Sequence, residues 1–505
     1  VTTTSDLPPR GAYRLVRGPL ARPRAVEPDP YQRAVIDHPG GPLLVLAGPG
    51  TGKTTTLVEA VAARVERGVP AEEILVLTFS RRAAMELRDR LSARIGAGTA
   101  FQATTFHAFC YALLRAWQGP ERYAEPVRLL SGPEQDVTLR ELLAGAAEDA
   151  RTGRSGLAWP DELRAALTTR GFADEVRAVL ARSRELGLGP RELRRFAAEG
   201  GRQDWAAAAR FFADYLDVLD LRGTLDYAEL VHRAARLAER PEVGEELRRR
   251  FRCVFVDEYQ DTDPAQVRLL RAVAGGGRDL VVVGDPDQSI YAFRGADVNG
   301  ILDFPRAFPK ADGSPADVRV LRVSRRSGAL LLASTREVAR RMPAGRLPAE
   351  VLARHRAPRA EREGGQVEVC TYPTPGAEQD NIADLLRRAH LEQGVPWGEM
   401  AVLVRSGSHS IPSFRRALTA AGVPVETDGE DLPLHREPAV QPLLLALRVC
   451  AERAAADRRR LPAGADARQA AGDRRQPAAG ADEDAPPEPD PLTAEAARAL
   501  LTGPL

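Results

Sequence analysis

Residues 47–54 read Ala47-Gly48-Pro49-Gly50-Thr51-Gly52-Lys53-Thr54, a run of glycines ending in one lysine and one hydroxyl. Glycine lets backbone N–H groups turn inward and come close to an anion, so such a loop can cradle phosphate oxygens. Lys53 supplies a compact cation for the outer phosphates of a nucleotide, and Thr54 a hydroxyl for Mg²⁺. The usual pattern opens on glycine where this chain has Ala47. Much further along, Cys253-Val-Phe-Val-Asp257-Glu258 sets two carboxylates at the end of an apolar run. Asp257 can hold a divalent cation, and Glu258 can orient and deprotonate a water. Together these residues predict binding of a nucleoside triphosphate with Mg²⁺, and its hydrolysis. The lysine is a pointed choice: Lys53 and Lys310 are the two lysines of the chain, and arginine takes every other basic position. Arginine's planar fork does not replace an ammonium at a phosphate loop.

These residues need elements to hold them. The apolar run at 43–47 suits a buried parallel strand, and Leu57, Val61 and Val65 mark one face of a following helix that Gly68 and Pro70 stop. Strand-like runs recur at 74–79, 254–256 and 280–283, and Leu87, Leu91 and Ile95 mark a second helix. Between 116 and 214 the apolar residues fall at helical spacing without a strand. The pattern is α/β, with 28–115 and 215–318 as one nucleotide domain interrupted by a helical insertion at 116–214. A second α/β unit is expected at 319–450, with strands at 367–370 and 401–404 and helices ending at Gly394 and Gly422. Residues 1–27 read as a mobile lead-in, 451–491 as a linker poor in large apolar side chains, and 492–505 as the start of another helix.

Composition narrows the class. A chain of 505 residues implies about three domains. With 71 basic against 70 acidic residues, net +1, it is neither a uniformly basic nucleic-acid coat nor an acidic tail protein, and a local basic groove remains open. The cysteines at 110, 253, 370 and 450 have neither metal-site nor disulfide spacing, which points to a reducing compartment. There is no signal-peptide pattern at the start and no apolar run long enough to span a bilayer, so a cytoplasmic location without membrane association is expected.

The run Val256-Asp257-Glu258-Tyr259-Gln260-Asp261-Thr262-Asp263 resembles the second motif of UvrD/Rep/PcrA-like superfamily 1 DNA helicases. Gly284-Asp-Pro-Asp-Gln288-Ser-Ile-Tyr291-Ala-Phe293-Arg294-Gly-Ala296 resembles their third. Upstream, Tyr31-Gln32-Arg33-Ala34-Val35 is similar to their adenine-reading glutamine motif. Thr78-Phe-Ser-Arg-Arg-Ala-Ala84 and Thr105-Phe106-His107-Ala-Phe109 are similar to their first DNA-contacting motifs, and Leu225-Asp226-Tyr227 is a weaker match. The set runs in family order from 29 to about 450.

The resemblance implies two tandem RecA-like P-loop NTPase lobes with ATP between them, a helical subdomain in the first, and a second lobe that is incomplete. It implies an ATP-dependent DNA helicase or translocase on single-stranded and partly duplex DNA, 3′-to-5′ in polarity, with a role in DNA repair or recombination. Residue by residue, Gln32 would read adenine, Gln288 would sense the γ-phosphate, and Phe106, Tyr291 and Phe293 would stack on bases, with His107 and Arg294 beside the strand. Core packing is the competing fate for such aromatics. In Leu321-Arg-Val-Ser-Arg325-Arg326-Ser327, similar to the fourth motif, Arg326 would reach the γ-phosphate. Arg325 stands where the family has a tyrosine on the base. The family's fifth and sixth motifs are not recognisable, so weak hydrolysis by this chain alone is expected. The distribution of matches is similar to the front of an AdnAB-type helicase–nuclease motor subunit. That leaves a second reading, a DNA- and ATP-binding subunit with a disabled motor in a heterodimer.

Overall fold

Four runs of leucine, valine and isoleucine too apolar to meet water on either face become the middle of one parallel sheet. The computed structural model describes residues 27–96, 101–117, 127–153, 159–291, 296–343, 346–427 and 440–460. The strands are β1 (Pro42–Ala47), β2 (Ile74–Thr78), β3 (Gln102–Thr105), β4 (Arg128–Leu129), β5 (Thr224–Leu225), β6 (Cys253–Val256), β7 (Asp279–Gly284), β8 (Asp317–Leu321), β9 (Val323–Gly328) and β10 (Arg359–Arg362). The main sheet has the order β3-β2-β6-β7-β1-β8, every pair parallel. β1 and β2 are buried along their whole length, and so is β6. Helices close both faces, as a sheet apolar on both sides requires.

The chain divides into two compact units, Val1–Val367 and Glu368–Leu505. In the first, α1 (Pro30–Ile36), α2 (Lys53–Glu66), α3 (Arg81–Ile95) and α4 (Phe106–Trp117) alternate with the first strands. Then come α5 (Gly132–Thr152), α6 (Arg170–Glu185), α7 (Pro190–Glu199) and α8 (Gln203–Leu221), which carry a hydrophobic core of their own around Leu143, Phe172, Leu180, Phe211 and Phe212. The short pair β4–β5 closes this insertion, so its helices run on to residue 221, past the expected end at 214. The chain returns through α9 (Tyr227–Ala238), α10 (Pro241–Arg250), α11 (Pro264–Ala274) and α12 (Val298–Ala307), and continues with α13 (Ala329–Ala339) and α14 (Ala349–His355).

Three further expectations are corrected. The second α/β unit does not begin at 319, because β8 pairs with β1 from Leu43 to Ala47 and is the edge of the first sheet. In the second unit, α15 (Pro375–Gln393), α16 (Gly407–Ala420) and α17 (Gln441–Arg460) form. The expected strands at 367–370 and 401–404 do not form, since no described segment offers them a ladder, and Val369 and Leu403 stand exposed. The first ten residues of the expected linker are helical within α17, as their alanine, arginine and glutamate favour. The lead-in at 1–26 and the segment from 461 onward lie outside the described residues. Among the described residues no helix is long and apolar enough to cross a membrane.

Candidate active site

Because all strands of the sheet run the same way, their carboxyl ends share one rim, where α/β ligands bind. Gly48 follows β1, Phe79 follows β2, Phe106 follows β3, Asp257 follows β6 and Asp285 follows β7. Ala47 is the last residue of β1 and fully buried, so the missing glycine there costs no loop geometry. Gly50 and Gly52 sit at φ +70° and +85°, which a side chain would strain. Thr51 Oγ1 donates to the Gly48 carbonyl at 2.8 Å and closes the loop. Helix α2 starts at Lys53 with no side-chain cap, which leaves its first N–H groups turned to the rim. Thr54 is the second residue of α2 and half-buried.

Lys53 Nζ lies 3.2 Å from Glu258 Oε2 and 3.5 Å from Gln288 Oε1. Glu258 has φ +51°, and is the one non-glycine residue with positive φ among the described residues. Such a conformation costs about 1–3 kcal/mol and persists where the surroundings over-determine it. Here Gln260 Nε2 donates to Glu258 Oε2 at 2.8 Å and Lys53 holds the same oxygen. Asp257 is buried beside it. Burial and the Glu258 charge push its carboxyl up to about 7, against the pull of Lys53. Burial and Glu258 also push Asp261 up to about 6.

The fit of Mg²⁺ and a nucleotide can be judged from this chemistry. A buried carboxyl with a raised pKa, a hydroxyl at the helix start and an uncapped N-terminus behind two left-handed glycines match a hard cation carried by phosphates. The sign of the pH effect follows. Asp257 carries a proton below about pH 7, and a cation must displace it. Affinity for a Mg²⁺–nucleotide should therefore fall up to about tenfold per pH unit below 7, and titrations at pH 6 and 8 check this. Asp257→Asn should flatten the dependence.

Gln32 is buried against the loop. Its Oε1 accepts from Asp29 N at 3.1 Å, completing a capping box with the Asp29 carboxylate, and its Nε2 donates to Thr51 O at 3.3 Å, which ties α1 to the phosphate loop. Any adenine edge would have to exchange with these bonds. Arg325 pairs with Asp29 at 2.8 Å and with Glu361 at 3.2 Å, so its guanidinium bears on the start of α1. Its backbone N–H donates to Gly50 O at 2.9 Å, and Ser324 Oγ donates to Pro49 O at 2.9 Å. Strand β9 thus lies directly on the loop. Arg326, next in line, has an exposed guanidinium with no partner among the described residues.

This docking explains Gly50. An added Cβ there would come within 2.4 Å of Arg326 Cβ and 3.0 Å of its N. Gly50→Ala should lift β9 from the loop, cost about 1–3 kcal/mol by thermal unfolding, and weaken nucleotide binding measured by titration.

The aromatic predictions divide. Phe106 is 3% exposed and packs in the sheet's core, because α4 begins at it and turns its ring inward; it offers no face to a base, and the stacking expectation is corrected. His107 meets Tyr227 edge-on at 5.1 Å, and burial pushes its imidazole below the ordinary value. Tyr291 stacks on Phe79 with centroids 4.8 Å apart. Phe79 lies inside a quoted motif, but nothing in its spacing marked it. Phe293 and Arg294 lie outside the described residues. The sequence also gave no sign of His355 and Arg356 at the end of α14, which grip Asp285 and Asp287.

A glycine loop between a buried parallel strand and an uncapped helix, with paired carboxylates on a nearby strand end, defines a phosphate-loop nucleotide-binding protein. Comparison with known families and proteins narrows this. The family described as UvrD/REP helicase N-terminal domain matches residues 29–309. ATP-dependent DNA helicase UvrD2 of Mycobacterium tuberculosis is 33% identical over 437 residues, 83% of this chain and 58% of that protein. UvrD1 of the same organism is 29% identical over 416 residues, 79% of this chain and 49% of that protein. PcrA of Bacillus subtilis is 31% identical over 288 residues, 56% of this chain and 36% of that protein. The chain belongs to the UvrD/REP helicase family, with the RecA-like α/β fold. It spans between about a third and three-fifths of the length of these relatives.

Proposed function

We propose that this protein is an ATP-dependent DNA helicase that moves 3′ to 5′ along single-stranded DNA and serves DNA repair or recombination in the cytoplasm. The observation that carries the reading is the seating of β9 on the phosphate loop, which sets Arg326, without a partner among the described residues, beside Gly50, while Lys53 at the end of the same loop meets Glu258 and Gln288. The relatives are named as ATP-dependent DNA helicases, which supports it.

Lys53 and the first turn of α2 take the outer phosphates. Thr54 and Asp257 would hold Mg²⁺, which supplies charge neutralisation at those phosphates. Glu258, released from Lys53 when phosphate replaces it, accepts a proton from the attacking water. Gln288 reaches the terminal phosphate, and Arg326 neutralises charge from the opposite side. Gln32 exchanges its capping bonds for the base. Single-stranded bases stack at the Tyr291–Phe79 pair, where stacking is worth about 1–3 kcal/mol per base and tolerates any sequence.

Steady-state ATP turnover with and without single-stranded DNA tests the reading. Turnover by this chain alone is expected to be weak, because the fifth and sixth motifs are not recognisable, and to rise when DNA is present. A chain that binds no ATP, or hydrolyses it without response to DNA, contradicts it.

A further inference from the structure

Asp285 is 1% exposed at the end of β7, and every polar atom it presents is engaged. Its N–H donates to Gln260 Oε1 at 3.0 Å. Its Oδ2 accepts from Gln288 Nε2 at 2.7 Å. Its Oδ1 accepts from Asp287 N at 3.0 Å and from His355 Nε2 at 2.8 Å. His355 is itself 3% exposed. The next residue, Arg356, makes a two-pronged pair with Asp287 at 2.8 and 2.9 Å. So the end of α14 clamps both carboxylates of the segment that carries Gln288.

The consequence lies in the amide. A glutamine amide turns about its last bond with little bias, and presents oxygen or nitrogen according to its partners. With Nε2 tied to Asp285, Gln288 aims Oε1 at Lys53 Nζ, 3.5 Å away. Asp285 can do this only while its carboxylate is ionised and fixed. Burial works to raise its pKa, and the hydrogen bond and charge of His355, with Lys53, more than offset this and hold it below the ordinary value. Without His355, one buried carboxylate oxygen loses its side-chain donor, and Asp285 can rotate or take up a proton.

We propose that His355 is a positioning residue for the nucleotide site: through Asp285 it fixes the Gln288 amide, and thereby the preference for a triphosphate over a diphosphate. This rests on the nucleotide reading above. A purely structural His355 would affect triphosphate and diphosphate alike, whereas a positioning one affects the triphosphate alone.

The test is the affinity of the full chain, with Mg²⁺, for ADP and for a non-hydrolysable ATP analogue, by titration calorimetry. His355→Ala and Gln288→Ala should each lower the analogue-over-ADP preference by about tenfold, with ADP affinity within about twofold of native. The double variant should be no worse than Gln288→Ala, because both act through one contact. His355→Gln, whose amide nitrogen can sit near the position of Nε2, should stay within about threefold of native. If His355→Ala does not fold, His355→Gln and Asp285→Asn carry the test, the first expected to match native and the second to match Gln288→Ala. Losses that multiply in the double variant, an equal loss of ADP affinity, or an unchanged preference in His355→Ala would each overturn the proposal while leaving the nucleotide reading intact. A native chain that binds neither ligand would overturn both.

Discussion

Lys53→Ala should abolish nucleotide turnover, by at least about a hundredfold, while binding of single-stranded DNA stays within a few-fold of native. Lys53 is the sole lysine at the rim, and its ammonium sits where the loop, Glu258 and Gln288 converge. Alanine removes the compact cation that offsets charge building on the outer phosphates. It also leaves Glu258, with its left-handed backbone, without the ion pair that pulls its carboxylate inward. The aromatic pair proposed for the bases, Phe79 and Tyr291, makes no hydrogen bond to Lys53, which is why DNA binding should survive. ATP turnover and fluorescence anisotropy of labelled DNA check the two halves separately. Equal loss of both would make Lys53 a structural residue.

Arg184→Met should be the most damaging single change to stability, about 3–5 kcal/mol, by thermal or urea unfolding. Arg184 on α6 is 1% exposed, and Nη1 lies 2.8 Å from Asp226 Oδ2 and 3.7 Å from Glu229. Tyr215 OH and Gln135 Nε2 donate to the same carboxylate oxygen at 2.8 and 2.9 Å. Asp226 also caps α9 through Glu229 N at 2.8 Å. This one hub therefore ties three helices of the insertion to the helix that leads back into the sheet. Removing the cation leaves the buried Asp226 carboxylate without its counter-charge, while Glu229 keeps its pair with Arg233 at 2.6 Å. Arg177, two turns earlier on α6, pairs with Asp174 at the same 2.8 Å, but both side chains are about 40% exposed. Arg177→Met should cost less than about 1 kcal/mol. Burial, not distance, separates the two.

The contrast between these arginines shows what a sequence carries. Nothing local distinguishes Arg184 from Arg177; both lie on a helix face near acidic residues, and the difference arises when α8 and α9 pack over one of them. The same holds at the site. Lys53, Thr54, Asp257 and Glu258 were legible because their chemistry is written in short runs at strand ends. His355, Arg356, Asp29 and Phe79 were not, because each acts through a partner far off in the chain. Strands followed the same rule. β1, β2, β6 and β7 are buried on both faces and read as unbroken apolar runs. β3, Gln-Ala-Thr-Thr, and β8 are sheet edges, β3 with alternating exposure and β8 part-exposed over all but its last residue, and so β3 was missed and β8 was assigned to the wrong unit. Phe106 was misread in the opposite sense, since a motif position cannot say which way a helix turns its first ring.

The account depends on a triphosphate held between the phosphate loop and β9. A crystal structure of the chain with Mg²⁺ and a non-hydrolysable ATP analogue tests this most directly. The account predicts the Lys53 ammonium and the Arg326 guanidinium on the terminal phosphate together, with Glu258 withdrawn from Lys53. Terminal phosphate bound at Lys53 while Arg326 still points into solvent, or bound elsewhere on the chain, would contradict it.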